Sequence, residues 1–154
     1  MEKTNVMRLL DASGISYNFY EYDPTQTDGQ TVAKLVGKPS YMVFKTLVTV
    51  GNDNEHYVFV VPVDCSLDLK KAAKSVGVKS VQMIKQKELL PLTGYIHGGC
   101  SPIGMKKQFK TVIDETAILN DTICVSAGRV GKQIELNPQT LCDYIGASFT
   151  DISV

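Results

Sequence analysis

No sign of charge predominates in this chain: 16 Lys plus Arg balance 16 Asp plus Glu, for a formal net charge of zero. Without a basic excess there is no general electrostatic hold on nucleic acid, so any such contact must be local, and DNA is not expected as a partner. No apolar run approaches the roughly 18 residues of a membrane span. The opening MEKTNVMRLLDASG is amphipathic and mixed in charge, unlike a signal core. A cytoplasmic protein with no membrane partner is therefore expected. Close-set cysteines are missing too. Cys65, Cys100, Cys124 and Cys142 are widely spaced, which suits reduced thiols better than a disulfide framework. His97 and Cys100 form an H-x-x-C pair, but no second close pair completes a zinc site, so neither metal nor cofactor is expected.

What is present fits one globular domain, residues 1–154, with 44% hydrophobic and 21% charged residues. Val6, Leu9 and Leu10 recur at helical spacing before Gly14, and Tyr17–Tyr22 reads as a strand. After the loop DPTQTDGQ, TVAKLVG reads as a helix. YMVFKTLVTV and HYVFVVPV, joined by GNDNE, predict a β-hairpin. Asp68 is placed to cap LKKAAKSVG, whose Leu69, Ala72, Ala73 and Val76 share a face. VKSVQM reads as a strand, KQKELLPL as a brief helix broken at Pro91, and GYIHGG as an extended approach to a loop. KTVID, TICVSA and KQIEL read as strands, and Asn137–Pro138 caps a last helix. About seven short strands interleaved irregularly with short helices predict an α/β (α+β) domain on a mixed, largely antiparallel sheet. There is no internal repeat and no regular βαβ alternation.

The stretch GGCSPIGMKK, residues 98–107, attracts chemical readings. Gly99 and Gly104 have the spacing of a phosphate loop, but Met105 and Lys106 follow where Lys and then Ser or Thr are required. The dinucleotide pattern G-x-G-x-x-G is absent as well. Cys100 is a candidate nucleophile beside His97 or His56, although no cysteine-enzyme signature surrounds it. Alternatively the glycines turn backbone amides toward a ligand while Pro102 fixes the chain direction, making an anion or oxyanion nest. From the residues alone, a tight structural turn is as good a reading as a binding loop. Lys45, inside an apolar strand, is either an ordinary edge residue or an ammonium facing a cleft.

Taken together, F-Y-E-Y-D-P, F-K-T-L, L-D-L-K-K-A-A-K, T-G-Y-I-H-G-G-C-S-P-I-G and S-A-G-R-V-G-K-Q-I-E-L resemble, in order and spacing, the YbaK/ProX-type aminoacyl-tRNA deacylases. These are freestanding relatives of the editing domain of prolyl-tRNA synthetases. The resemblance runs from about Val6 to Ile152 and leans toward the YbaK branch, which clears Cys-tRNA(Pro); ProX-like members clear Ala-tRNA(Pro). It implies a partly barrel-like mixed sheet, a mischarged aminoacyl-tRNA as partner, and room for a transient complex with prolyl-tRNA synthetase. It makes Lys45 central to activity and lays Gly98, Gly99, Cys100, Ser101 and Pro102 along the aminoacyl ester. Tyr20 and Gln133 line the same pocket, with Gln133 where YbaK proper carries an Asp.

The implied chemistry needs no protein nucleophile, because a cysteinyl ester's own thiol attacks its carbonyl. The amides of Gly98, Gly99 and Ser101 then face the developing oxyanion, each worth on the order of 3 kcal/mol when well placed. Lys70, Lys71, Lys74, Lys106, Lys107, Lys110 and Arg129 are candidates for the tRNA backbone. The same fold without turnover would be a noncatalytic module binding the tRNA acceptor end.

Overall fold

In a computed structural model of the chain, residues 2–154 are described. The hairpin of β2 (Phe44–Gly51) and β3 (His56–Pro62) is its centre. Asn54 takes the left-handed conformation in the connecting turn, at φ 65°, which Asn tolerates better than other side-chain-bearing residues. Val58, Phe59, Val60 and Val61 are all completely buried, so β3 needs an unbroken apolar run rather than an alternating one.

Helices cover both faces of this strand. Val60 packs with Met7 and Leu10 of α1 (Asn5–Ala12) and with Leu141 and Ile145 of α5 (Pro138–Ile145). Phe59 and Val61 pack with Ala72, Ala73 and Val76 of α3 (Leu69–Val76). Each such side chain removed from water contributes roughly 1.5–3 kcal/mol. Local chemistry starts the helices as the sequence suggests. The Asp68 carboxylate accepts the N–H groups of Lys70 and Lys71 at 3.0 Å, and Asn137 accepts that of Thr140 at 3.0 Å.

Two sheets result among the described residues. The larger has the order β4–β2–β3–β5–β8, with β4 (Val81–Met83), β5 (Lys110–Asp114) and β8 (Ser148–Thr150). Its β3–β5 and β5–β8 pairs are parallel and its other pairs antiparallel. The smaller is antiparallel, with β7 (Lys132–Leu136) between β1 (Asn18–Glu21) and β6 (Ile123–Ser126). A bridge from Val43 to Cys124 joins the two. The mixed, mainly antiparallel α/β architecture matches the sequence reading. No helix among the described residues is long and apolar enough to cross a membrane.

Several local details differ from the sequence reading. β8 is an added strand, too short to show a pattern and held by its parallel register with β5. Pro91 lies inside α4 (Gln86–Thr93) rather than ending it; it removes one ladder bond from a helix whose last turn is tied by the Thr93 hydroxyl to the Leu89 carbonyl at 2.7 Å. Leu69 stays 44% exposed at the first position of α3. The segment before Gly99 is a turn rather than a strand, closed by the Gly99 N–H on the Ile96 carbonyl at 3.0 Å.

Candidate active site

Along one side β2 is paired throughout with β3, but on the other β4 reaches only Thr49–Gly51. Its first half is an open sheet edge, and the smaller sheet begins just beyond it at the Val43–Cys124 bridge. A cavity of about 400 Å³ fills this gap, a size suited to a small ligand or the end of a larger one. One wall is the edge itself, Phe44 to Leu47. A second comes from the chain after β1 and the start of α2 (Gly29–Val36), with Tyr22, Thr27, Asp28, Gly29 and Val32. His97, Gly98 and Cys100 form a third, and Ser126 and Gln133 of the smaller sheet close the floor.

Lys45 is half-buried in this lining and enters no ion pair among the described residues. β2 is an inner strand of its sheet, between β4 and β3, but Lys45 lies on the half that β4 leaves unpaired and lines the cleft there. Two polar atoms are buried without a hydrogen-bond partner among the described residues, Thr46 Oγ1 and Gln133 Oε1, and both residues line the cavity. Buried polar groups ordinarily find partners. With Lys45 in the same lining, these two atoms suit the cavity to a polar ligand.

The glycine-rich loop meets the other glycine-rich segment back to back. A Cβ on Gly99 would stand 3.0 Å from the Val130 nitrogen, and one on Gly98, whose φ is +86°, only 2.8 Å from Thr27 Cγ2. Glycine suits Gly99, where two backbones meet, and Gly98, where a left-handed φ coincides with the Thr27 side chain. Tyr95 locks the arrangement by donating its hydroxyl hydrogen bond to the Ile103 carbonyl.

The loop residues named from sequence do not all reach the cavity. Gly98 and Cys100 line it. The Gly99 N–H is committed to Ile96, while Ser101 is fully buried, its Oγ accepting the Ile103 N–H at 3.2 Å. Pro102 is buried outside the lining. Burial pushes the Cys100 thiol up to about 12, and its neighbours Val48, Val58 and Phe109 are apolar. That thiol stays protonated near neutral pH and is a poor nucleophile.

Gln133 lies in the lining, whereas Tyr20 does not: its hydroxyl donates to Glu135 Oε1 at 2.6 Å, and Tyr22, two residues on, faces the cavity. Of the basic candidates, Lys106 and Lys107 directly follow Met105, which packs with Cys100. Lys107 stands 5.8 Å from the Phe109 ring centroid. Lys70 and Lys74 are exposed on α3, which contributes nothing to the cavity, and Lys71 pairs with Asp151 at 3.0 Å. Lys110 is exposed at the start of β5, and Arg129 stands 3.7 Å from Glu2. Thr46, Asp28, Thr27, Tyr22 and Ser126 are lining residues that sequence reasoning did not single out. Strand alternation sets Thr46 opposite Lys45, and both meet the cavity only because it wraps around an open edge. Ser126 had a usable signal, since it opens the S-A-G-R-V-G motif.

The fold and this cavity belong with the aminoacyl-tRNA editing domains, and the chain is a member of that family: residues 23–144 match its description, Aminoacyl-tRNA editing domain. Among its relatives is a protein of Enterococcus faecalis, EbsC, provisionally named a Cys-tRNA(Pro)/Cys-tRNA(Cys) deacylase. The two are 44% identical over 154 residues, covering 99% of this chain and 94% of that one. A proline–tRNA ligase of Methylobacillus flagellatus is 28% identical over 106 residues, which are 66% of this chain but 18% of that enzyme. In fold, the chain is similar to a crystal structure described provisionally as a trans-editing enzyme for prolyl tRNA synthetase. The TM-score is 0.87 at 24% identity, over 100% of this chain and 99% of the other.

Proposed function

We propose that this protein, as one editing domain spanning residues 1–154, deacylates mischarged tRNA in trans, with Cys-tRNA(Pro) as its main substrate. The observation that carries the site assignment is that half-buried Lys45 lines the same cavity as the orphaned Thr46 Oγ1 and Gln133 Oε1. The provisional name of the E. faecalis relative supports the choice of substrate.

An aminoacyl ester is already activated, so positioning supplies much of the acceleration. Lys45 holds the terminal ribose and phosphate or the ester region as a point charge with three donors. Gln133 and Thr46 take up polar hydrogens of the aminoacyl group. The substrate's own thiolate attacks its carbonyl carbon, the bond to the ribose oxygen breaks, that oxygen takes a proton, and a cyclic thiolactone leaves. The backbone around Gly98 and Cys100 faces the oxyanion as it forms. Gly99 and Ser101 support this loop from behind, and Cys100 needs no covalent role. The tRNA backbone runs past Lys106 and Lys107. Charging and editing share the cytoplasm, and prolyl-tRNA synthetase is a transient partner that supplies the substrate.

The test is a panel of Cys-tRNA(Pro), Ala-tRNA(Pro), Cys-tRNA(Cys) and Pro-tRNA(Pro). Fastest release from Cys-tRNA(Pro), with Pro-tRNA(Pro) left intact, is expected. Faster release of alanine would move the substrate to the ProX-like class. Retention of every ester by a protein that still binds the tRNA would make it an acceptor-end binding module.

A further inference from the structure

The cavity wall contributed by residues 23–37 has an unusual attachment. Thr27, Asp28, Gly29 and Val32 line the cavity, yet the polar ties within this segment are internal. The Asp23 carboxylate accepts from Thr25, the Asp28 carboxylate accepts from Thr31, and the backbone bonds of Gln26, Val32 and Gly37 stay inside it. It is held to the rest of the molecule by apolar contact of Ala33 and Val36 with Val43, Val63 and Cys124, by the close approach of Pro24, Thr27 and Gly29 to Gly131, Gly98 and Val63, and by its two ends.

Both ends converge on one carboxylate. On the N-terminal side, where β1 is laddered to β7 and the Tyr22 N–H bonds the Gly131 carbonyl at 2.9 Å, Tyr20 also donates to Glu135 Oε1 at 2.6 Å. On the C-terminal side Lys38 Nζ lies 3.3 Å from Glu135 Oε2 and 5.6 Å from the Tyr20 ring centroid. Thr122, just before β6, adds a hydrogen bond to Glu135 Oε2 at 2.6 Å. Glu135 itself is 6% exposed and sits on β7, two residues beyond Gln133 of the cavity floor. A buried carboxylate with four oxygen lone-pair sites can serve several donors at once, and removing one donor leaves the others in place.

We infer that Glu135 is a positioning residue, a clasp that closes residues 21–37 into a strap and sets the distance between the strap and the floor at Gln133. It touches no substrate. On the deacylase reading, on which this rests, it governs how firmly the aminoacyl group is gripped rather than how fast the ester is cleaved. Tyr20 then acts through Glu135 and not by contact with the ligand.

Lys38→Met opens the C-terminal end at a side chain already 26% exposed, and a melting curve checks that the variant folds. In the uncharged protein without tRNA, amide hydrogen exchange in residues 23–37 should accelerate roughly tenfold while β2 and β3 keep their protection. Tyr20→Phe should give a smaller effect in the same direction, because the β1–β7 ladder and the Tyr22 N–H bond to the Gly131 carbonyl still hold that end, and Lys38→Arg should restore slow exchange. In deacylation of Cys-tRNA(Pro), Lys38→Met should raise KM roughly three- to tenfold with kcat within about twofold of wild type. Unchanged exchange in 23–37, or equal acceleration in β2 and β3, would overturn the clasp, as would a fall in kcat with KM unmoved. Should the wild-type protein release no amino acid from any charged tRNA, the deacylase reading fails by itself, and the exchange measurements still decide the clasp.

Discussion

At the scale of single residues, the chemistry separates Lys45 from Cys100, which sequence alone makes rivals. Lys45 is a charged group facing a cavity, and Cys100 is a thiol held protonated by apolar neighbours. Lys45→Ala should cost deacylation at least about 100-fold without unfolding, as read by release of cysteine alongside a melting curve; wild-type turnover in that variant would end the proposed mechanism. Cys100→Ala should keep substantial activity, and complete loss in a folded variant would restore a protein thiolate to the reaction. Gly98 answers to backbone geometry instead. Its left-handed φ and the 2.8 Å approach to Thr27 mean that Gly98→Ala should destabilise by about 1–2 kcal/mol and also push the strap from the loop. Both a lower melting temperature and weaker substrate binding are expected.

At the scale of elements, α2 and α3 have different duties although each is capped by an aspartate. Asp68 caps α3, which covers the core away from the cavity. Asp68→Ala should therefore lower stability by about 1 kcal/mol and leave kcat/KM unchanged. α2 is a cavity wall as well as a helix, and its first residue lies against the β3 end: a Cβ on Gly29 would fall 2.6 Å from Val63 Cγ1. Gly29→Ala should cost about 1–3 kcal/mol through overpacking, and it should also change the amino acid discrimination measured on the charged-tRNA panel.

For the whole molecule, Glu135 contributes to the acid limb of stability. Burial alone raises its pKa, but hydrogen bonds from Thr122 and Tyr20 and the Lys38 ammonium outweigh that and hold it at about 2, against an ordinary 4.5. The folded state prefers the ionised form, so the stabilisation is complete above pH 4.5 and disappears as the pH falls toward 2. The difference corresponds to about 3 kcal/mol. In urea unfolding, the advantage of wild type over Glu135→Gln should shrink across this window; a gap constant down to pH 2 would show that the carboxylate's charge is not its source.

Local pattern determined much of this protein from sequence alone. The β2–β3 hairpin, the caps at Asp68 and Asn137 and the inward faces of α1 and α3 follow from alternation, helical spacing and side-chain reach, all of which act over a few residues. Motif order pointed to Lys45, the 98–107 loop and Gln133 together. Tertiary structure alone decided which atoms face the cavity. It committed the Gly99 amide to a turn and Ser101 to the interior, gave Thr46 and Ser126 a place in the lining, and joined Tyr20 and Lys38 through Glu135. These outcomes depend on where β4 stops pairing and where two sheets meet. Such distances between residues far apart in the chain arise only when burial of the core brings the sheets into contact, and no local periodicity encodes them.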